Sequence, residues 1–384
     1  MKIHWCGTGL SAIPGLRRLL EGGYPVVVWN RTVEKAEAEV GDLTSDIRAF
    51  SLEAVTEALE PGDIAVSMLP ADLHVPLASA CLQANAHFVC SSYVSPEMAA
   101  LDGAAKEKGL SLVNEVGLDP GIDHVFADDL VARLRALAPE APEVSFTSYC
   151  GGFPKVANDF RYKFSWSPLG VLKALRSPSR SLKDGQELHV ARPWDAITPY
   201  ENPLPGGEVF EAYPNRDSVP FIAQYGFDES WQVKDFVRGT LRLGGWATAW
   251  EGLFREIETL TGPGGDARLR EISDGLWDSH AYDEGEADRV VMFVRLTAEA
   301  QGKPVFDQAW AMDASDRPEG SAMGRLVSVS VALAIEALVA ARLVPGVVTA
   351  SNAADPLFAE DIRSEWLSEV EEMSDVLERI DFLG

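Results

Sequence analysis

Short apolar runs alternate with segments of helical spacing through the first third of the chain. Ile3-His4-Trp5-Cys6 predicts a buried strand starting almost at the first residue. Leu10, Ile13, Leu16, Leu19 and Leu20 follow at helical spacing, and Gly22-Gly23 stops them. Val26-Val27-Val28-Trp29 predicts a second strand. Ile64–Met68, His87–Cys90 and Leu110–Asn114 predict later ones, with helices near Val33–Val40, Leu73–Ala84 and Pro96–Lys108 between them. Alternation of this kind implies a parallel sheet covered by helices on both faces.

The texture changes near Val144, where Gly, Pro and aromatic residues become frequent. Val290–Leu296 and Val305–Met312 read as neighbouring strands turned by Gln301-Gly302-Lys303-Pro304. Met323–Val344 reads as a long apolar helix; Arg325, Glu336 and Arg342 interrupt it, which favours a buried helix over a membrane span. In the last segment Ile362, Trp366, Val370, Met373, Leu377 and Ile380 fall at helical spacing beside an acidic face. The expected organisation is a Rossmann-type domain over 1–123, a second domain over 124–340, and a C-terminal helical segment over 341–384 that returns to the first.

Composition narrows the function classes. The 384 residues carry 33 Lys+Arg against 59 Asp+Glu, a net charge of −26. That balance argues against nucleic acid and anionic membranes as partners, and requires a local basic cluster for any anionic ligand. Cys6, Cys81, Cys90 and Cys150 form no CxxC pair or zinc spacing, and the six histidines show no ligand spacing. With no basic region leading into a long apolar run at the start, the expected compartment is a reducing cytoplasm.

Gly7-Thr8-Gly9-Leu10-Ser11-Ala12 is a G-x-G-x-x-A string directly after a strand. Gly7 permits a tight turn, Gly9 lets a pyrophosphate approach the backbone, and Ala12 lets helix and strand pack closely. Pro14 removes an N–H and is tolerated only in the first helical turn. At the end of the second strand an NAD site usually places a carboxylate on the ribose 2′-hydroxyl. Here Asn30-Arg31-Thr32 stands instead, and a guanidinium can pair a 2′-phosphate in a fork. The expected cofactor is NADP, with NAD the alternative. Met68, Leu69 and Ser91 sit at later strand ends, on the rim where such ligands lie.

Further stretches are unlike ordinary core. They are Ser91-Ser92-Tyr93-Val94-Ser95-Pro96, the string Asn114–His124 (NEVGLDPGIDH), Tyr149–Pro154 (YCGGFP), Lys163–Leu172 (KFSWSPLGVL), Tyr213–Ser218 (YPNRDS) and Arg238–Arg242 (RGTLR). With these strings the chain resembles the saccharopine dehydrogenase family of the NADP-dependent, L-glutamate-forming type, also called saccharopine reductases.

The resemblance implies a Rossmann domain, a substrate and dimerisation domain with a mixed sheet, C-terminal helices, and a homodimer. It implies oxidation of a secondary amine at the glutamate-side carbon, hydride transfer to NADP, and hydrolysis of the imine to glutamate and aminoadipate semialdehyde. The reverse condensation serves lysine synthesis. Ser92, Ser95, Asp119, Arg216, Thr240, Leu241 and Arg242 would contact substrate, Leu241 through its backbone. Arg238 and Lys163 would add positive charge for the three carboxylates. Asp119 is the candidate acid/base, Tyr93 and Cys150 are candidates for stabilising or relaying protons, and His124 is a second choice. A carboxynorspermidine-type enzyme and a non-catalytic NADP-binding sensor are the alternatives.

Overall fold

The computed structural model describes residues 1–140, 142–351 and 360–384. In chain order the strands are β1 (Ile3–Cys6), β2 (Val26–Asn30), β3 (Ile47–Ala49), β4 (Ile64–Ser67), β5 (His87–Cys90), β6 (Ser111–Val113), β7 (Glu143–Pro154), β8 (Ser179–Lys183), β9 (Gln186–Val190), β10 (Thr198–Glu201), β11 (Val209–Pro214), β12 (Gln232–Leu243), β13 (Asp288–Ala300), β14 (Lys303–Ser315), β15 (Gly346–Val348) and β16 (Val376–Asp381). Contacts divide the chain into two units, Met1–Val125 with Arg317–Met373, and Phe126–Asp316 with Ser374–Gly384.

The first unit carries a parallel sheet in the order β15-β6-β5-β4-β1-β2-β3. Its strands read as continuous apolar runs because both faces are covered. The strand order reverses between β1 and β4, the switch point beside which such folds bind ligands. Helix Ile13–Glu21 packs on helix Ala322–Val339 so closely that a Cβ at Gly15 would lie 1.9 Å from the Ser328 carbonyl oxygen. The Gly15 N–H donates to Ser328 Oγ at 2.8 Å. Helix Ala322–Val339 is long and apolar enough to cross a membrane, yet most of it is buried in this unit.

The second unit is built on a mixed sheet in the order β10-β11-β12-β7-β13-β14-β16, with the β8–β9 hairpin joined to β12. β12 and β7 run parallel, and the other neighbours are antiparallel. Phe153, Phe210, Leu241 and Phe293 pack on one face; Tyr162, Phe164, Tyr213, Trp246 and Trp250 form a separate aromatic cluster.

The predicted α/β plus mixed-sheet architecture is present, but the chain divides differently from the expected ranges. Helix Ala322–Val339 and β15 join the first unit, β15 as a seventh parallel strand beside β6. The expected C-terminal helix stops at Met373. Leu377 and Ile380 lie on β16, an edge strand pairing β14 from Gln308↔Asp381 to Asp313↔Val376. Backbone pairing with a distant strand overrides their helical spacing. Part of the 341–384 range lies outside the described residues. Pro96–Lys108 is two helices, Pro96–Ala99 and Asp102–Lys108.

Candidate functional site

The phosphate turn leaves β1 where β1 and β4 meet. Gly7 has φ +106°, and a Cβ there would lie 2.5 Å from the Met68 carbonyl oxygen, so only glycine fits. Asn30, ending β2, holds the turn through its side chain: Oδ1 accepts from Thr8 N at 3.2 Å, and Nδ2 donates to Thr32 O at 2.8 Å. Helix Ile13–Glu21 begins beyond Ala12, with Pro14 in its first turn and no acid there. Its amino end therefore offers N–H groups and positive potential to an anion.

A cleft of about 210 Å³ opens here, lined by Thr8, Gly9, Leu10, Pro14, Lys35 and Ser321 among others. A dinucleotide phosphate fits the turn on two observations. Among the described residues a Cβ at Gly9 would meet nothing within 4 Å, and buried Thr8 Oγ1 has no hydrogen-bond partner. Arg31 is exposed, and among the described residues no carboxylate pairs with it. Lys35, in the first turn of helix Val33–Val40, lines this cleft and was not singled out from sequence.

The loops after β5 and β6 are tied together. Tyr93 Oη donates to Asp119 Oδ1 at 2.7 Å. Glu115, at φ +56°, donates its N–H to Ser92 O at 3.1 Å and accepts Val94 N on Oε1 at 3.0 Å. Ser91 backs the second loop: a Cβ on Gly117 would lie 2.9 Å from Ser91 Cβ. Ser95 Oγ caps helix Pro96–Ala99 by accepting Met98 N at 3.1 Å, so its oxygen serves the fold. A hydroxyl or carboxylate at the carboxyl rim of such a sheet can bind or relay a proton; Tyr93 and Asp119 are a coupled pair with that capacity.

His74, unassigned from sequence, bridges two strand ends. Its Nδ1 lies 2.8 Å from Ser67 Oγ and its Nε2 2.9 Å from Ser92 Oγ. Burial pushes its pKa down to about 4, with Asp72 opposing weakly, so the ring is neutral near pH 7. No spacing rule marks such a histidine, because its partners lie on two other elements.

In the second unit Arg238, Thr240 and Arg242 alternate along β12 and share one face. Cys150 of β7 and Tyr213 of β11 both pair Thr240 and present to that face. The intervening Leu241 points the other way into the core, which leaves only its backbone for a ligand. Arg242 is 6% exposed, and its guanidinium lies 4.8 Å from the Tyr162 ring, 5.3 Å from Trp246 and 5.7 Å from Tyr213. Its Nη1 donates to Leu241 O at 3.4 Å, its Nε has no hydrogen-bond partner, and no carboxylate pairs with it among the described residues. A buried unpaired guanidinium is costly unless an anion is its natural partner.

Arg238 is also buried, stacked 4.0 Å above Phe221. Arg216 is exposed in the turn after β11, at φ +56°. Lys163 does not supply free positive charge: its ammonium pairs with Asp283 at 3.1 Å and with Glu286. Acids from a distant segment neutralise it, which its own string did not reveal.

Residues 5–113 match the family description "Saccharopine dehydrogenase NADP binding domain", and residues 117–375 match "Saccharopine dehydrogenase C-terminal domain". The saccharopine dehydrogenase (NADP+, L-glutamate-forming) of Pyricularia oryzae is 38% identical over 246 residues, 62% of this chain and 54% of that protein. The Saccharomyces cerevisiae protein of the same name is 34% identical over 248 residues, with the same two coverages. The chain thus spans about half the length of the curated relatives it matches. Apo saccharopine dehydrogenase (L-Glu forming) from Saccharomyces cerevisiae superposes with TM-score 0.80 at 23% identity over 99% of both chains. A homospermidine synthase from Legionella pneumophila reaches 0.63 at 10% identity, covering 99% of this chain and 91% of its own.

Proposed function

The chain belongs to the saccharopine dehydrogenase family, whose NADP-binding and C-terminal domains it carries, and we propose that it interconverts saccharopine with L-glutamate and aminoadipate semialdehyde using NADP. Bound NADP would supply the hydride acceptor, and NADPH the donor for the reverse. The Gly7–Ser11 turn would hold the pyrophosphate, and Arg31 with Lys35 the 2′-phosphate. Met68, Leu69 and Ser91 would line the same rim.

The products decide which carbon is oxidised. Hydrolysis leaves the carbonyl on the carbon that gave up hydride, and that carbonyl is the semialdehyde. The hydride therefore leaves the aminoadipate-side carbon, not the glutamate-side carbon expected above; glutamate keeps its Cα–H and takes the nitrogen. Asp119 would take the amine proton before oxidation and assist water addition to the imine, with Tyr93 fixing its carboxylate.

The observation that carries the reading is Arg242. A chain of net charge −26 keeps a buried guanidinium in an aromatic setting with no acidic partner among the described residues. A polycarboxylate substrate accounts for that arrangement, through the forked pairing arginine offers. Thr240, Arg216 and Arg238 would share the carboxylates, and Cys150 would border them. A polyamine substrate would call for acidic or aromatic groups without the guanidinium.

A spectrophotometric assay tests the proposal, with saccharopine supplied with NADP or NAD and reduced nicotinamide followed. Turnover faster with NADP is expected; none with either cofactor would refute it, and cofactor binding without turnover would favour a sensor. A cytoplasmic homodimer acting in lysine metabolism belongs to the same proposal, and its mass in solution checks the dimer.

A further inference from the structure

We propose that His124 is a positioning residue for the Tyr93–Asp119 pair, holding together the two loops that carry it. His124 stands in the first turn of helix Ile122–Leu137 and is fully buried. Its Nε2 lies 3.0 Å from Glu115 Oε2 and its Nδ1 3.3 Å from Asp123 Oδ2. With both carboxylates ionised each can only accept, which puts hydrogen on both ring nitrogens and makes the ring a cation. Burial alone would push its pKa down; the Asp123 and Glu115 carboxylates reverse this and hold it at about 9.

Each acid then reaches a different loop with its other oxygen. Glu115 Oε1 accepts Val94 N at 3.0 Å, one residue from Tyr93. Asp123 Oδ1 accepts Gly121 N at 2.7 Å, two residues from Asp119. A hydrogen-bonded line thus runs from Val94 through Glu115, His124 and Asp123 to Gly121, and the 2.7 Å bond from Tyr93 to Asp119 closes it. The ring between them offsets the repulsion of the two buried carboxylates, so each acid can keep its hydrogen bond to its loop. Small displacements of a proton-transfer pair are expensive in rate, so the ring's effect should appear in turnover more than in binding.

The inference rests on the reading of Tyr93 and Asp119 as the proton-handling pair, so the test includes both. Four variants of the full chain are compared with the parent: Tyr93→Phe, Asp119→Asn, His124→Gln and the Tyr93→Phe/His124→Gln double. NADP affinity, kcat and KM for saccharopine are measured for each. His124→Gln should keep NADP affinity within about twofold and lower kcat about tenfold or more with little change in KM; the double should fall far less than the product of the singles. If Tyr93→Phe and Asp119→Asn lose rate while His124→Gln does not, or if the losses multiply, the positioning role is wrong and the pair stands. If Tyr93→Phe and Asp119→Asn both keep full rate, the pair reading fails and takes this one with it. Should His124→Gln lose NADP binding through misfolding, Glu115→Gln replaces it with the same expectations. A second readout needs no substrate: nitrogen-15 NMR of the cofactor-free chain at pH 7 should show both His124 nitrogens protonated, and a neutral tautomer would overturn the proposal.

Discussion

Tyr93 donates its phenolic hydrogen to Asp119 Oδ1 across 2.7 Å, linking the loop after β5 to the loop after β6. A carboxylate fixed this way presents its other oxygen in a defined direction. Losing either group should cost turnover on the scale of a general acid/base, about a hundredfold to ten-thousandfold in kcat. Tyr93→Phe with Asp119→Asn should fall little below the worse single variant, since both disable one device. Steady-state kinetics near neutral pH check this, and full activity in either single variant removes that residue from the mechanism.

Cofactor choice should turn on Arg31. It is exposed and unpaired among the described residues, so its charge is available to a 2′-phosphate. Arg31→Asp should weaken NADP binding about tenfold or more and leave NAD nearly unchanged, because only NADP carries the phosphate. Lys35→Ala should act in the same direction and less. Fluorescence titration with both nucleotides decides it, and equal loss for both would assign Arg31 to the fold.

Arg242 sets function against stability. Replacing a buried guanidinium that has no acidic partner among the described residues with an apolar side chain of similar length removes a desolvation cost. Arg242→Met should therefore melt at the same temperature as the parent or higher, while KM for saccharopine rises at least about tenfold. Thermal melting and kinetics on one preparation test both halves, and a large fall in Tm would show that the guanidinium supports the fold.

Two buried histidines should tilt stability in opposite directions with pH. His74 has its pKa lowered from 6.5 to about 4. The unfolded chain takes up its proton first, so this contribution is whole above pH 6.5 and is lost as pH falls from 6.5 toward 4. His124 has its pKa raised from 6.5 to about 9. Its contribution is whole below pH 6.5 and is lost as pH rises from 6.5 to 9. Each shift of this size is worth up to roughly 3 kcal/mol. Urea unfolding across pH should show His74→Gln flattening the acid side and His124→Gln the alkaline side. A parent-like slope in either variant would reject that residue's share.

Local pattern was enough for much of this protein. β1 and β5 occupy the expected residues, and helix Val33–Val40 does too, because apolar spacing and flanking turns act over a few residues. The tight turn at Gly7 was equally legible, since backbone conformation is written in adjacent positions. Tertiary structure decided what depends on partners far along the chain. β15 joins β6, and β16 becomes an edge strand on β14, through hydrogen bonds that no local period encodes. Lys163 is neutralised by Asp283 and Glu286, whereas Arg242 meets aromatic rings, although both began as equal basic residues. His74 and His124 acquire opposite charge states because one is buried between hydroxyls and the other between carboxylates. Burial and the charge of spatial neighbours set a side chain's chemistry, and only the folded chain brings those neighbours together.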